Sequence, residues 1–238
     1  GSGCGSDHGS EDNTHFMDMF SKNIWFSTYV DTKFSIVTMM FALHYMFNDI
    51  DSVSTLVANI NDRLQEGGYF IGCCFDGKKV FELLQDIEIN ETKIGRKDGE
   101  LIWKIQKKYN LHSWDQEDDS LFYDLPIDVY IRSINMNITE YLVNFDILIK
   151  ECKKYNIKLV QSDLFDEIYE VQKTKDLSPD EQTLSFLNRR FIFKKITKTE
   201  LVVDKITILC IQILNNDFGK NTFKTKKNKT ALKKELKK

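Results

Sequence analysis

The sequence predicts an α/β protein built on an open, mostly parallel sheet with an antiparallel edge, and three observations lead there. Phe34 to Met40 is a nearly continuous apolar, β-branched run, the pattern of a strand buried on both faces of a parallel sheet. A helical stripe follows at Val53, Leu56, Val57, Ile60 and Leu64, and then a second buried run, Tyr69 to Phe75. Strand, helix and strand in that order imply a right-handed crossover between parallel neighbours.

The chain opens on Gly1-Ser2-Gly3-Cys4-Gly5-Ser6-Asp7, which reads either as a linker or as a nucleotide-type loop whose alternating glycines let backbone approach a ligand. Residues 8–14 are too short for the helix and second strand that such a loop demands, so the expectation is a remnant, N-terminally incomplete unit. Thr14 to Met19 suits a short strand. Asp49 or Asp51 can cap the helix near 51–65, which Gly67-Gly68 then stops. Asp76-Gly77 turns the chain into a helix with Val80, Leu83 and Leu84 inward. Ile87 to Ile94 and Leu101 to Tyr109 form a hairpin pattern, followed by a polar loop at 110–120.

Strands are expected at 127–134 and 139–143, a helix at 145–155 beside Asn144, and a returning strand at 157–161. Asp163 can cap a short helix through Tyr169. Ser178-Pro179-Asp180-Glu181 is a helix start with a capping box and Pro at the first helical position. That helix runs to about Asn188, and Arg190 to Lys195 is the last core strand. Leu201 to Leu214 is apolar enough for one further strand or helix.

Composition bounds the class. The 238 residues, 42% hydrophobic with two prolines, suit one filled domain with a small appendage. A net charge of -3 conceals a basic end: the last twenty residues hold nine lysines and one Glu. From Asn215 onward there is little to bury, so a disordered tail is expected, its lysines solvated or in contact with RNA phosphates. No membrane-length apolar run or signal peptide is visible, and the five cysteines lack metal-ligand spacing, so a soluble protein of a reducing compartment is expected.

Beyond the first strand come Phe41, His44 and Tyr45. Ligands of open α/β sheets sit past the carboxyl ends of the strands, so these rings are candidates for holding a flat ligand, with core packing as the competing reading.

The segments Phe41-Ala42-Leu43-His44-Tyr45, Gly67-Gly68-Tyr69-Phe70-Ile71-Gly72, Glu140-Tyr141-Leu142-Val143 and Phe191-Ile192-Phe193-Lys194-Lys195, in this order, resemble the mRNA cap (guanine-N7) methyltransferases. Asp76-Gly77-Lys78-Lys79-Val80 and Leu187-Asn188-Arg189 look like the variant in capping enzymes of large cytoplasmic DNA viruses. The resemblance spans about residues 16–196 and implies a Rossmann-like class I methyltransferase fold. It also implies transfer of a methyl group from S-adenosylmethionine to the cap guanine of mRNA. Phe41 and Tyr45 would flank the purine, His44 reach a polar edge, Tyr130 supply a further ring wall, and Glu140 accept from the two Watson–Crick donors of guanine. Without the resemblance, Tyr130 reads as core and Glu140 as an acid at the start of the following helix.

On the donor side the resemblance implies Gly1, Gly3 and Gly5, with Asp18 near the adenine-binding acid and Met40 where Gln is usual. Cys4 stands in place of a Lys, Phe75 about where Pro is expected, and Asn188 in place of a Tyr near the cap. The resulting domains are a remnant loop or linker at 1–15, a methyltransferase-like domain at 16–200, an apolar extension at 201–214 and a basic tail at 215–238. Three functions compete: an incomplete cap N7 methyltransferase, a degenerate cap-binding or capping-complex subunit, and a methyltransferase of another substrate class. Implied partners are the capped mRNA 5′ end and a guanylyltransferase/triphosphatase domain or a capping subunit. The implied setting is cytoplasmic, in a viral factory or virion, with the nucleus as the alternative.

Overall fold

The computed structural model describes residues 32–172 and 176–220. Contacts divide the chain into two units, Gly1–Lys195 and Ile196–Lys238. The expected strand at 14–19 and most of the basic tail lie outside the described residues.

The first unit runs β1 (Phe34–Met40), a 3-10 turn (Leu43–Asn48), α1 (Ile50–Arg63), β2 (Leu64–Phe75) and α2 (Gly77–Leu84). It continues through β3 (Thr92–Lys97), β4 (Glu100–Lys107), β5 (Pro126–Ile131), β6 (Met136–Tyr141), α3 (Phe145–Lys154) and β7 (Ile157–Leu164). It closes with α4 (Phe165–Gln172), α5 (Pro179–Ser185) and β8 (Asn188–Lys195).

One sheet has the order β1-β2-β8-β7, with β1 and β2 parallel and β8 antiparallel to both its neighbours. Three of its strands therefore run one way, and the reversed strand lies inside the sheet rather than at the expected edge. The interior place suits the side chains of β8. Phe191 and Phe193 are fully buried and pack on Phe70 and Phe145, with ring centroids 5.2 to 6.0 Å apart. The second sheet, β3-β4-β5-β6, is antiparallel throughout.

β1 also departs from expectation. Val37 and Met39 pack on the core, but Ile36 and Met40 are just over half exposed, and among the described residues β1 is an edge strand. Its β-branched run makes it extended without enclosing it on both faces.

Local signals explain most boundaries. Asp49 caps α1 by accepting from Ser52 N at 2.6 Å, and Val53, Val57 and Ile60 face the core. The helix ends at Arg63 because Leu64 is fully buried as the first residue of β2. Gly67, with φ of 77°, and Gly68 therefore bulge within the strand rather than stop the helix, and the register jumps from Phe34↔Leu64 to Ile36↔Tyr69. Asp98-Gly99, both with positive φ, make the tight turn from β3 to β4. β3 begins at Thr92 rather than near Ile87.

Asp163 does not cap α4. Its carboxylate accepts from Arg190 Nε at 2.9 Å, and Glu167 accepts from Leu164 N at the helix start. The box at Ser178 and Glu181 does form and starts α5, which stops at Ser185 before β8 begins at Asn188. In the second unit, 201–214 is helical, within α6 (Lys198–Lys220), which extends past Asn215.

Gly72 faces Phe191 across β2 and β8, and a Cβ there would collide with Met39 O and Phe191 Cζ. Gly72→Ala is expected to destabilise the protein by about 1–3 kcal/mol, the usual cost of overpacking, measured by urea unfolding.

Candidate active site

A cavity of about 820 Å³ opens where the carboxyl ends of β1 and β2 meet the antiparallel sheet. Its first wall is made by a sharp corner. Phe41 has φ of 52°, a left-handed conformation costly for a bulky side chain, and its N–H donates to Cys73 O at 2.8 Å. The 3-10 turn that follows drives Leu43 and Phe47 fully into the core. This anchoring leaves His44 buried in the wall and Tyr45 42% exposed beside it, their rings edge-on at 4.2 Å. The ring of Phe41 is 56% exposed, and Phe75 ends β2 at the same cavity.

The facing wall comes from β5 and β6. Strand alternation puts Ile138 and Glu140 on one face of β6, opposite Val129 and Ile127 of β5, with Ile131 on the same side. Ile131, Ile138 and Glu140 all line the cavity. Leu184 and Ser185 of α5 and Asn188 of β8 add to the lining, as do Arg132 after β5 and Glu181 of α5.

His44 Nδ1 lies 3.4 Å from Glu140 Oε2, close enough for a charge pair but not aligned as a hydrogen bond. His44 Nε2, Glu140 Oε2 and Asn188 Oδ1 are all buried without a protein partner. Burial out of water raises the Glu140 carboxyl to about 7 and lowers the His44 imidazole to about 4. Three orphaned polar atoms at one cavity, each of a kind that normally finds a partner, mark a place where a polar ligand completes the bonding.

The structure thus brings Phe41, His44, Tyr45 and Glu140 together, and Glu140 sits in a strand rather than at a helix start. Tyr130 falls on the opposite face of β5 from Ile131 and off the cavity lining, its hydroxyl 3.1 Å from Asn135 Oδ1. A one-residue step along a strand reverses the face. Met40 lines a neighbouring cleft of about 530 Å³, its sulfur 3.5 Å from Cys73 Sγ. Gly1, Gly3, Gly5 and Asp18 lie outside the described residues. Ile131 and Ile138 were missed as lining residues. The period-2 relation of Ile138 to Glu140 could have found one of them.

An open sheet with a strand reversed inside it, and a ring-lined cavity past the carboxyl ends of its crossover strands, fits the Rossmann-like class I methyltransferase fold expected from the sequence. The profile of the mRNA (guanine-N(7))-methyltransferase domain matches residues 13–235, and the chain belongs to that family. It is 29% identical over 164 residues to a probable mRNA-capping enzyme of Acanthamoeba polyphaga mimivirus, which covers 66% of this chain and 13% of that protein. It is 25% identical over 147 residues to an mRNA cap guanine-N(7) methyltransferase of Candida albicans, covering 60% of this chain and 30% of that one. The chain therefore spans less than a third of either relative. An S-adenosylmethionine-dependent methyltransferase from Clostridium acetobutylicum overlays on 71% of this chain and 61% of its own, with a TM-score of 0.41 and 15% identity.

The two shifted groups oppose one another in their effect on stability. Glu140, raised in the folded state, lowers stability as pH rises from about 4.5 to about 7, because the unfolded chain releases that proton first. His44, lowered in the folded state, lowers stability as pH falls from 6.5 to about 4. The two slopes are expected to cancel largely in the wild type. Glu140→Gln should then lose stability on acidification, and His44→Asn on alkalinisation, with slopes approaching about 1.4 kcal/mol per pH unit, read by denaturant titration at pH 4 to 8.

Proposed function

We propose that this chain holds the guanine of an mRNA cap for methylation at N7, as part of an S-adenosylmethionine-dependent (guanine-N7) methyltransferase. The observation that carries the reading is the meeting of Glu140 and His44, each with an unpartnered polar atom, at a cavity flanked by the half-exposed rings of Phe41 and Tyr45. S-adenosylmethionine, when bound, supplies an electrophilic methyl group. Among the described residues, only Met40 of the implied donor contacts is present, at an exposed strand end open to a ligand.

Guanine N7 already carries a lone pair, so no side chain need remove a proton from it, and the work of the chain is positioning. Phe41 and Tyr45 hold the purine between ring faces. Glu140 accepts from N1–H and from one hydrogen of the exocyclic amine, a pattern that adenine cannot match. That bonding requires the carboxylate, so guanine binding expels the proton that burial favours. His44 donates to O6 from Nε2, its buried nitrogen without a protein partner. The apolar lining from Ile131, Ile138 and Leu184 strengthens these contacts by excluding water.

The same reading places this chain beside a guanylyltransferase/triphosphatase domain or a capping subunit acting on capped mRNA in a cytoplasmic, viral-type setting. The mimivirus relative, named as a capping enzyme and far longer than this chain, supports it.

The test is calorimetry with the cap dinucleotide GpppA. Glu140→Gln is expected to weaken binding by about ten- to hundredfold with the fold intact by circular dichroism. Wild-type affinity should fall about tenfold per pH unit below about 7, a dependence absent from the variant. Equal affinity of wild type and variant would contradict the proposal.

A further inference from the structure

Asn188, which stands where the resemblance puts a Tyr near the cap, has no ligand contact in the reading above, although its side chain belongs to the same cavity. It opens β8 opposite Phe75 and is 6% exposed. Its amide nitrogen spends both hydrogens on the chain, donating to Leu184 O at 3.2 Å and Ser185 O at 3.0 Å. Those two bonds fix the orientation of the amide, because a flipped group would set its oxygen against two carbonyl oxygens. Oδ1 is therefore committed as an acceptor, and it is buried with no protein partner. A buried carbonyl left unpaired costs about 1–3 kcal/mol relative to one that is paired, so a site that carries one gains from any ligand that brings a donor.

Resting on the guanine reading above, we infer that Asn188 is a specificity residue: its Oδ1 takes the second hydrogen of the purine 2-amino group, the one that Glu140 leaves free. The cavity then presents acceptors from two walls, Glu140 on the antiparallel sheet and Asn188 on the sheet with the reversed strand, and a 2-amino-6-oxopurine brings the three hydrogens that meet both. Hypoxanthine retains N1–H and loses both amine hydrogens. A ligand acceptor such as a phosphate or O6 finds no donor at Asn188, since its N–H groups are occupied.

The experiment is a cycle that crosses a ligand change with a side-chain change. Binding of GpppA and of its inosine counterpart IpppA is measured by calorimetry on wild type and Asn188→Leu, with unfolding melts to confirm folding. Asn188→Ala replaces the Leu variant if that one does not fold. Wild type is expected to prefer GpppA by about a hundredfold and Asn188→Leu by about tenfold. A guanosine-to-inosine ratio unchanged within about twofold in Asn188→Leu overturns the inference. So does a variant that loses its response to the 2′-deoxyguanosine cap instead, which would assign Oδ1 to the ribose. If the wild type binds GpppA no better than ApppA, the guanine reading itself fails, an outcome distinct from either.

Discussion

A carboxylic acid held out of water without a charge partner is the constraint on which the site depends. Removing Glu140 from water disfavours its ionised form, and His44, 3.4 Å away, is itself pushed towards neutrality by the same dry surroundings. Neither group relieves the other in the ligand-free protein. Such an arrangement is poor for stability and good for recognition. The interactions that Glu140 lacks are those that two adjacent N–H donors of a planar ligand would provide, in a setting where they count for more than in water.

The scaffold keeps the acid in place by joining two sheets of different construction. The crossover sheet delivers Phe41, His44 and Tyr45 through a left-handed corner pinned by Cys73 O and by burial of Leu43 and Phe47. The antiparallel sheet delivers Glu140 through the register of β6 on β5. The two are tied together below the site. Trp103 of β4 donates from Nε1 to Asp180 O at 2.7 Å, and Lys97 pairs with Glu181, which docks α5 on the β3–β4 hairpin. Next to Asn188, Arg189 donates to Asp76 at 2.7 Å and to Ser162 at 2.8 Å and lies over the Phe145 ring. Asp76 also caps α2 through Lys79 N. The start of β8 is thereby fixed to the end of β2, which sets where the Asn188 amide can stand.

Much of this is legible in the sequence. Caps at Asp49, Asp76, Asn144 and Ser178 are local chemistry, and the helices they start were placed to within a few residues. Strand existence was also readable, because β-branched runs between turn residues report extension. Burial was not. The apolar run of β1 reads the same whether its faces are covered or open, and which strands neighbour one another is set by long-range pairing that leaves no local trace. For that reason an antiparallel strand was expected at an edge without being identified, whereas the reversed strand is β8, inside the sheet. The convergence of His44 and Glu140 came from resemblance rather than from pattern, since nothing near either residue announces the other. Tyr130 shows the limit most clearly: a strand assigned correctly still leaves the face of each residue to a register that a single position reverses.

Glu140 is the residue whose state the whole account turns on, and its carboxyl can be observed directly. Carboxyl-carbon NMR of selectively labelled protein, titrated from pH 4 to 9 with and without GpppA, is expected to show Glu140 ionising near 7 in the free protein and well below that when the cap dinucleotide is bound. A carboxyl that titrates near the ordinary glutamate value of 4.5 in the free protein, or one whose titration the ligand leaves unmoved, would contradict the claim that a desolvated acid is held here for guanine.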